Sequence, residues 1–276
     1  MSNGQEIHFH DGRCIPQIGL GVWQTPNETA VTAVRSALQG GYRHVDTAAI
    51  YGNEAGVGEG LKASGLAREQ VFLTTKLWND DQGFDSALRA LDASLKKLDT
   101  DYVDLYLIHW PSAHRGLYVD SWRALVRLQQ EGKARSIGVS NFEPEHLRRI
   151  IEETGVTPVL NQIELHPRFQ QRALRQEHAR LKIATQSWSP LGQGQLLDDP
   201  IVQAVAAKHG KSPAQVVIRW HLENELIVIP KSVTPSRIAE NFAVQDFQLD
   251  PSDRSQLDLL DSAEGRIGPN PATAAF

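Results

Sequence analysis

Eight short runs rich in β-branched and aromatic residues recur along the chain, and stretches with helical spacing separate them. The runs are IGLGV (18–22), YRHVD (42–46), VFLTTK (71–76), YVDLYLIH (102–109), ARSIGVS (134–140), VLNQIE (159–164), IATQSW (183–188) and LIVIPK (226–231). The helical spacing is clearest at 86–98 and at 119–132. Strands that alternate with helices pair in parallel through right-handed crossovers. Eight strands in 276 residues fit a closed barrel better than an open doubly wound sheet, so an α/β fold of the (β/α)8 TIM barrel type is predicted.

Additional segments interrupt this alternation. EIHFHDGRCIPQ (6–17) is typical of a β-hairpin that turns at Asp11-Gly12, and we expect it to plug the amino-terminal mouth of the barrel. PIVQAVAAKHG (200–210) precedes the helix expected at 212–224, and two extra helices are expected in all. Because no linker, low-complexity tract or composition break occurs, residues 1–276 are expected to form a single domain.

Composition and charge argue against several classes of function. The net charge is −5 and there is no Lys/Arg run, so nucleic acid and acidic membranes are not expected partners. The single cysteine, Cys14, excludes an intrachain disulfide and suits a reducing compartment. The start MSNGQEIHFHDG lacks signal-peptide features and no apolar run reaches membrane length. A cytoplasmic location is therefore predicted.

Four ionisable residues lie at the ends of neighbouring strand runs. Asp46, Lys76 and His109 end the second, third and fourth runs, and Tyr51 lies in the loop after the second. Singly they have ordinary interpretations: a helix cap, a solvated strand end, a half-buried histidine and a surface tyrosine. Active sites of barrels of this kind lie at the carboxyl ends of the strands. The convergence of all four on one rim therefore predicts an active site.

The chemistry of these residue types suits carbonyl reduction, which needs a hydride on carbon and a proton on oxygen. A free tyrosine holds its proton too tightly to be an efficient acid near neutrality. We expect Lys76 to lower the pKa of Tyr51, the general acid, and Asp46 to keep Lys76 charged. We expect His109 to hydrogen-bond the substrate oxygen and fix its direction.

These residues, in the contexts DTAAIYGNE, TTKLW and LIHWP, resemble the catalytic tetrad of the aldo-keto reductase superfamily. The resemblance continues in GVSNF (138–142), NQIELHP (161–167), SWSPL (187–191) and IPKSVTPSRIAEN (229–241). The bacterial 2,5-diketo-D-gluconate reductase branch is the most similar, from WQ (23–24), KLWNDD (76–81) and GRIGPNP (265–271). The resemblance implies NADPH/NADP+ as cofactor, a monomer, and small-molecule carbonyl substrates such as 2,5-diketo-D-gluconate, methylglyoxal or β-keto esters.

The resemblance also implies the residues that hold the nicotinamide end of the cofactor. Ser140, Asn141 and Gln162 would hydrogen-bond the carboxamide, and Trp188 would stack on the ring, where many relatives have tyrosine. Ser140 and Asn141 precede PEHLRRIIEE, so they are also candidates to begin a helix.

The segment after the last strand run has the features of an anion-binding site. Thr234 is expected to cap a helix that starts at Pro235, with Arg237 in its first turn. A helix amino terminus together with Lys231 and Arg237 suits a ribose 2′-phosphate, which favours NADPH over NADH. By resemblance, Glu240 and Asn241 would contact the adenine. The remaining predicted cofactor contacts are Ser189, Leu191, Ser232 and Val233. GVGEG (56–60) has the wrong spacing for a dinucleotide-binding loop and is expected within a helix.

The substrate cleft is predicted from apolar residues that follow the strand runs. Trp23, Ile50, Trp78 and Trp110 either wall a cleft or simply seal the barrel rim. The loops after the fourth and seventh runs are short for the family, which predicts an open, permissive pocket. In the carboxyl-terminal tail, Arg266 and Asn270 are candidates to contact polar or acidic substrates.

Two other classes of function are considered. A metal-dependent barrel hydrolase could use HFH (8–10) as a ligand pair, but these histidines precede the first barrel strand, so no metal is predicted. A non-enzymatic NADPH-binding module on the same barrel is the other, and the intact tetrad argues against it.

Overall fold

The computed structural model describes residues 5–276, and its centre is an eight-stranded parallel sheet. The strands are β3 (Leu20–Gly21), β4 (His44–Asp46), β5 (Phe72–Leu77), β6 (Val103–Ile108), β7 (Ala134–Ser140), β8 (Leu160–Glu164), β9 (Ala184–Trp188) and β10 (Ile227–Val228). They pair in chain order, and parallel bridges from Ile18 to Val228 and from Gly21 to Lys231 join the last strand to the first. Each strand lies within its predicted run except that β5 extends by one residue, so the closed barrel is confirmed.

The predicted hairpin is also confirmed. It consists of β1 (Glu6–His8) and β2 (Cys14–Pro16), which pair antiparallel with Ile7 opposite Ile15. Phe9 and Ile15 are buried in one cluster with strand residues that include Leu105 and Leu160. The hairpin therefore closes the end of the barrel at which the strands begin.

The described residues contain ten α-helices, most of which surround the sheet. They are α1 (Asn27–Gln39), α2 (Glu54–Ala63), α3 (Phe84–Leu98), α4 (Tyr118–Gln130), α5 (Pro144–Thr154), α6 (Arg172–Leu181), α7 (Pro200–His209), α8 (Pro213–Glu223), α9 (Pro235–Phe242) and α10 (Pro251–Asp258). Eight follow the barrel strands in turn, and α7 and α10 are the two extra helices. None of the helices in residues 5–276 is both long and apolar enough to cross a membrane.

Local sequence explains these helices. In α3, residues Ala87, Leu91, Leu95 and Leu98 recur three or four positions apart and are all buried, so one stripe packs on the barrel. In α2 the GVGEG glycines permit close packing, since a Cβ at Gly56 would lie 2.0 Å from the carbonyl oxygen of Asn27. The structure therefore places this segment inside a helix, as predicted.

Candidate active site

The structure brings the four predicted catalytic side chains together at the carboxyl-terminal rim. Lys76, 0% exposed, donates from Nζ to Asp46 Oδ1 at 2.5 Å and to the carbonyl oxygen of Thr47 at 2.9 Å. The ammonium nitrogen lies 5.1 Å from the centre of the Tyr51 ring. The Tyr51 and His109 rings meet edge to face, 5.7 Å apart. An acid, its charged neighbour and a histidine therefore border one space.

Hydrogen bonds of the Asn53 side chain anchor the loop that carries Tyr51. Tyr51 ends a 3-10 turn, and Gly52 follows with a φ of 68°, in the left-handed region that glycine tolerates. Asn53 is fully buried and donates from Nδ2 to the carbonyl oxygens of Val22 and Thr25. Its Oδ1 accepts from Thr47 Oγ1 at 2.7 Å. Asn53 thus ties the loops after β3 and β4 together and fixes the residue whose carbonyl holds Lys76.

The electrostatics of the pair differ from the expectation in one respect. Burial alone would lower the pKa of Lys76, but Asp46 and Tyr51 raise that pKa above its ordinary value, so the group stays an ammonium. Burial also raises the pKa of Tyr51, and the charge of Lys76 opposes this without outweighing it. The expected net lowering of the Tyr51 pKa is therefore wrong for this structure, because the sequence does not show how deeply the phenol is enclosed.

His109 is neutral in this environment. Burial and, secondarily, the Lys76 charge hold its pKa well below the ordinary value. Its Nδ1 is buried and has no hydrogen-bond partner among residues 5–276. The backbone is anchored, since Asn141 Nδ2 donates to the His109 carbonyl oxygen at 3.0 Å. A fixed, neutral imidazole can donate one hydrogen bond to an oxygen without contributing a charge.

Residues within or directly after β7, β8 and β9 form one hydrogen-bonded group. Trp188 Nε1 donates to Asn141 Oδ1 at 2.8 Å, and Ser140 Oγ donates to the Gln162 carbonyl oxygen at 2.8 Å. Gln162 Nε2 donates to Asp46 Oδ2 at 2.8 Å and to Gln186 Oε1 at 2.7 Å. The Gln162 amide nitrogen is therefore occupied, and its Oε1 is the polar atom left to meet a cofactor.

Of two local predictions about helix starts, one is wrong and the other is confirmed in position. Ser140 and Asn141 do not begin α5, whose amino-terminal cap is Glu143, because both side chains are turned toward the barrel strands. Thr234 precedes Pro235, the first residue of α9, as predicted, but its side chain makes no capping hydrogen bond. Instead, the Thr234 backbone N–H donates to Ser232 Oγ at 3.2 Å.

The predicted phosphate segment is open to solvent. Lys231, Val233, Thr234, Arg237 and Glu240 are exposed. Neither Lys231 nor Arg237 forms an ion pair with any residue in 5–276. The pair therefore does not balance Glu240, and both cations can take an external anion.

The remaining predicted cofactor contacts are distributed along the same rim. Asn241 is buried on α9, and Ser232 is half-buried. Ser189 follows β9 with a φ of 48°, which turns the chain sharply after Trp188. Leu191 is partly buried and packs on the core clusters. These positions line the turn from β9 and the segment after β10.

The predicted substrate residues separate into two pairs. Trp78 lies 5.3 Å from the His109 ring, and both Trp78 and Trp110 contact the ring of the last residue, Phe276. Trp23 and Ile50 are exposed, at 43% and 47%. The first pair forms an aromatic wall beside His109, while the second leaves apolar surface free at the rim.

The tail contacts that the structure shows were not anticipated. Arg266 stacks over Phe169 at 4.5 Å, and Asn270 Oδ1 accepts from the backbone N–H of Ala272, two residues later in the tail. The tail is instead anchored by buried Glu164, whose carboxylate accepts from the backbone N–H groups of Ile267 at 2.6 Å and Gly268 at 2.8 Å. A glutamate in a buried strand was the one available signal, since such a carboxylate needs partners.

The alternative metal ligands lie elsewhere. His8 pairs with Cys14 in the hairpin, and His10 contacts the carbonyl oxygen of Pro158, so both lie at the plugged end of the barrel. Within the described part of the chain, no cluster of three or more His, Cys, Asp or Glu residues has the geometry to hold a metal ion.

The chain is similar to known proteins of one family. The model of the Aldo/keto reductase family matches residues 17–262. An aldo-keto reductase of Mycolicibacterium smegmatis is 56% identical over 270 residues, which cover 98% of each chain. The methylglyoxal reductase DkgA of Escherichia coli is 54% identical over 273 residues, again covering 98% of each.

Solved structures show the same fold. A variant of Gox0644 in complex with NADPH has a TM-score of 0.96 and 54% identity, with full coverage of both chains. An aldo-keto reductase of Bombyx mori in complex with NADP has a TM-score of 0.89 and 37% identity, covering 97% of this chain and 95% of that one.

Proposed function

This chain belongs to the aldo/keto reductase family, and we propose that it reduces aldehydes and ketones to alcohols with NADPH, using Tyr51 as the general acid. The observation that carries the proposal is the buried Asp46–Lys76 pair beside Tyr51, with neutral His109 facing the same space. Buried ion pairs can have a purely structural role, but this one adjoins Tyr51, the residue that can supply the proton that the reaction requires.

NADPH, when bound, supplies the hydride for the carbonyl carbon. His109 donates a hydrogen bond to the carbonyl oxygen and sets its direction toward Tyr51. Tyr51 then gives its proton to that oxygen, and the Lys76 ammonium stabilises the phenolate that forms. Because the pKa of Tyr51 is raised in the resting structure, the phenol is fully protonated at neutral pH. Asp46 keeps Lys76 charged throughout.

The residues of the rim fit NADPH. Two exposed cations next to the amino terminus of α9, which have no carboxylate partner among residues 5–276, suit the ribose 2′-phosphate. Trp188, fixed through Asn141, offers a flat surface for the nicotinamide, and Gln162 Oε1 can accept from the carboxamide. Ser140 and Asn141 complete this polar edge.

For substrates, we propose small carbonyl compounds, with methylglyoxal, β-keto esters and 2,5-diketo-D-gluconate as the candidates. The likeness to the methylglyoxal reductase DkgA supports the first of these. The single cysteine supports a reducing, cytoplasmic setting, and we propose that the protein acts there as a single-domain monomer.

The test is an NADPH-oxidation screen over these three classes and an aromatic aldehyde. We expect turnover by the wild-type chain, and at least about 100-fold less by Tyr51→Phe. NADPH binding without turnover of any carbonyl would favour a non-enzymatic binding module. Activity that a chelator abolishes would favour the metal-dependent alternative.

A further inference from the structure

A row of buried polar side chains crosses the interior of the barrel below the active site. It consists of His44 on β4, Gln186 on β9, Gln162 on β8 and Asp46 at the end of β4, each at most 2% exposed. Gln162 Nε2 lies 2.8 Å from Asp46 Oδ2 and 2.7 Å from Gln186 Oε1. Gln186 Nε2 lies 3.4 Å from His44 Nε2, and His44 Nδ1 lies 3.2 Å from the carbonyl oxygen of Pro16. We call the four side chains the interior row.

The two ends of the interior row allow only one direction for its hydrogen bonds. The Asp46 carboxylate can only accept, so Gln162 turns its NH2 group toward it. That NH2 group also faces Gln186, which therefore presents its amide oxygen to Gln162 and its own NH2 group to His44. His44 Nε2 then has to accept, so the ring proton lies on Nδ1 and is donated to the Pro16 carbonyl oxygen. Each member is thus held in a single orientation.

His44 meets the conditions that this direction requires. Burial lowers its pKa to about 4, so the imidazole is neutral near pH 7 and Nε2 keeps a lone pair. The ring meets Phe72 edge to face at 5.5 Å. A Cβ at Gly19 would lie 2.4 Å from His44 Nδ1, so the glycine leaves the room that the ring occupies. The imidazole is therefore fixed in position as well as in protonation.

The interior row controls the amide that faces the proposed cofactor site. Because Asp46 and Gln186 occupy the Gln162 NH2 group, the amide cannot turn without losing two hydrogen bonds. Without an acceptor at residue 186, Gln162 would keep only the bond to Asp46, and its amide could rotate about that bond. The amide oxygen of Gln162 would then no longer be held toward the nicotinamide.

We propose that Gln186 is a positioning residue for hydride transfer, which fixes the Gln162 amide between Asp46 and the nicotinamide, and that His44 fixes Gln186 in the same way. The inference rests on the proposed function and adds to it two residues that lie one and two side chains behind Gln162.

Paired substitutions separate positioning from packing. Gln186→Met keeps the length of the side chain and removes the amide. His44→Leu removes the acceptor for Gln186, whereas His44→Gln returns one through its amide oxygen. Gln17→Met is the matched control, because Gln17 is also a buried glutamine, 1% exposed, whose Nε2 donates to two carbonyl oxygens away from the interior row.

The measurements are the single-turnover rate at saturating NADPH, Kd for NADPH and the free energy of unfolding. Gln186→Met should lower the rate about 10-fold, since a misplacement of about 1 Å can cost about 100-fold. Its Kd should change less than about two-fold, because the proposed phosphate contacts remain. His44→Leu should lower the rate about 3-fold, and His44→Gln should restore it. Gln17→Met should lose stability and keep the wild-type rate.

The tautomer of His44 provides a measurement on the wild-type chain. In ¹⁵N spectra of protein labelled at histidine, the His44 signals are assigned by their absence in His44→Gln. We expect the ring proton on Nδ1 at pH 7, because the hydrogen bond made by one ring nitrogen sets the state of the other. A proton on Nε2 would overturn the inference, since the interior row could not then run in the direction that holds Gln162.

The outcomes are separable. If wild type turns over no carbonyl compound, the proposed function itself fails. If wild type is active and folded Gln186→Met keeps the wild-type rate, the inference is overturned. Equal rate losses in Gln186→Met and Gln17→Met would also overturn it, because the loss of any buried amide would then suffice. If Gln186→Met does not fold, the comparison of His44→Leu with His44→Gln takes its place, and equal rates in these two variants would overturn the inference.

Discussion

Two groups of cations lie at the carboxyl-terminal rim of the barrel, and their surroundings are opposite. Lys76 is fully buried, and its ammonium group donates to Asp46 and to the Thr47 carbonyl. Lys231 and Arg237 are exposed and unpaired within the described residues. A buried charge persists only when it is paired, whereas an exposed one remains able to bind an anion. From this comparison we propose that the first cation acts on a fixed neighbour, Tyr51, and that the other two bind a cofactor that is exchanged in each turnover.

The largest effect is expected at the two exposed cations, Lys231 and Arg237, and concerns the preference for NADPH over NADH. Lys231→Gly with Arg237→His should remove the two charge-assisted hydrogen bonds that we propose to the ribose 2′-phosphate, each contributing about 1.5–3 kcal/mol. We expect the preference for NADPH over NADH to fall by roughly 10²–10⁴-fold at low salt. The check is Kd for both cofactors. Arg89→His, at an exposed position on α3, is the control, and equal losses for NADPH and NADH would show a role in folding.

The second prediction concerns the group that Lys76 acts on. Tyr51→Phe removes the proposed proton donor but no part of the cofactor segment, so kcat should fall at least about 100-fold while Kd for NADPH changes less than about two-fold. Single-turnover rates at saturating NADPH measure this. Tyr102→Phe, a residue before β6 at the far end of that strand, is the matched control. Near-normal rates in Tyr51→Phe would remove Tyr51 from the mechanism.

The third prediction concerns two buried histidines and the pH dependence of the free energy of unfolding. His44 and His178 are buried, and burial lowers the pKa of each to about 4. Their folded-state pKa values lie below the unfolded value, so the folded state binds fewer protons and its stability falls as pH drops from about 6.5 toward 4. Each should cost about 2 kcal/mol between pH 7 and pH 5.

Denaturant titrations of His178→Gln check this. The variant should lose less stability than wild type over the same pH interval, because neutral His178 Nε2 accepts from Asn161 Nδ2 and a protonated ring could not. His114→Gln, at an exposed position, is the control. An identical pH slope in His178→Gln and wild type would contradict the assignment.

The smallest effect is expected at Thr47, whose carbonyl oxygen accepts a hydrogen bond from Lys76. Thr47→Val removes the hydrogen bond to buried Asn53 Oδ1, which should cost about 1–3 kcal/mol of unfolding free energy and lower kcat a few-fold. Thr74→Val is a closely matched control, because Thr74 is also fully buried and its Oγ1 has no partner in residues 5–276. Equal effects of the two substitutions would show that Asn53 does not position Lys76.

Much of the fold and the tetrad could be predicted because the signals are local or periodic. Strands that alternate with helices imply a parallel barrel, and a barrel places strand-end residues such as Asp46 and Lys76 on one rim. The hairpin followed from its turn residues. The strands, the hairpin and the positions of these strand-end residues could be predicted because the rules depend on short stretches of sequence.

The predictions that failed depend on the environment of a side chain. The pKa of Tyr51 depends on how completely the loops enclose it, and the sequence does not specify that enclosure. Thr234 occupies the predicted cap position, but its side chain makes no capping hydrogen bond, because its rotamer is set by its surroundings. The positions of Glu164 and Phe276 against the tail and the tryptophans follow from a path without periodicity. Such contacts require the tertiary structure.

The most direct test of the contrast between the two groups of cations measures one rate and one affinity in two variants. For Lys76→Met, we expect the single-turnover rate of hydride transfer to fall at least about 100-fold with Kd for NADPH nearly unchanged. For Lys231→Gly with Arg237→His, Kd for NADPH should rise while the rate at saturating cofactor stays near that of wild type. Circular dichroism must first show that Lys76→Met is folded, since an orphaned buried Asp46 costs about 3–5 kcal/mol. If both variants change the same quantity, the buried and the exposed cations do not have separate roles.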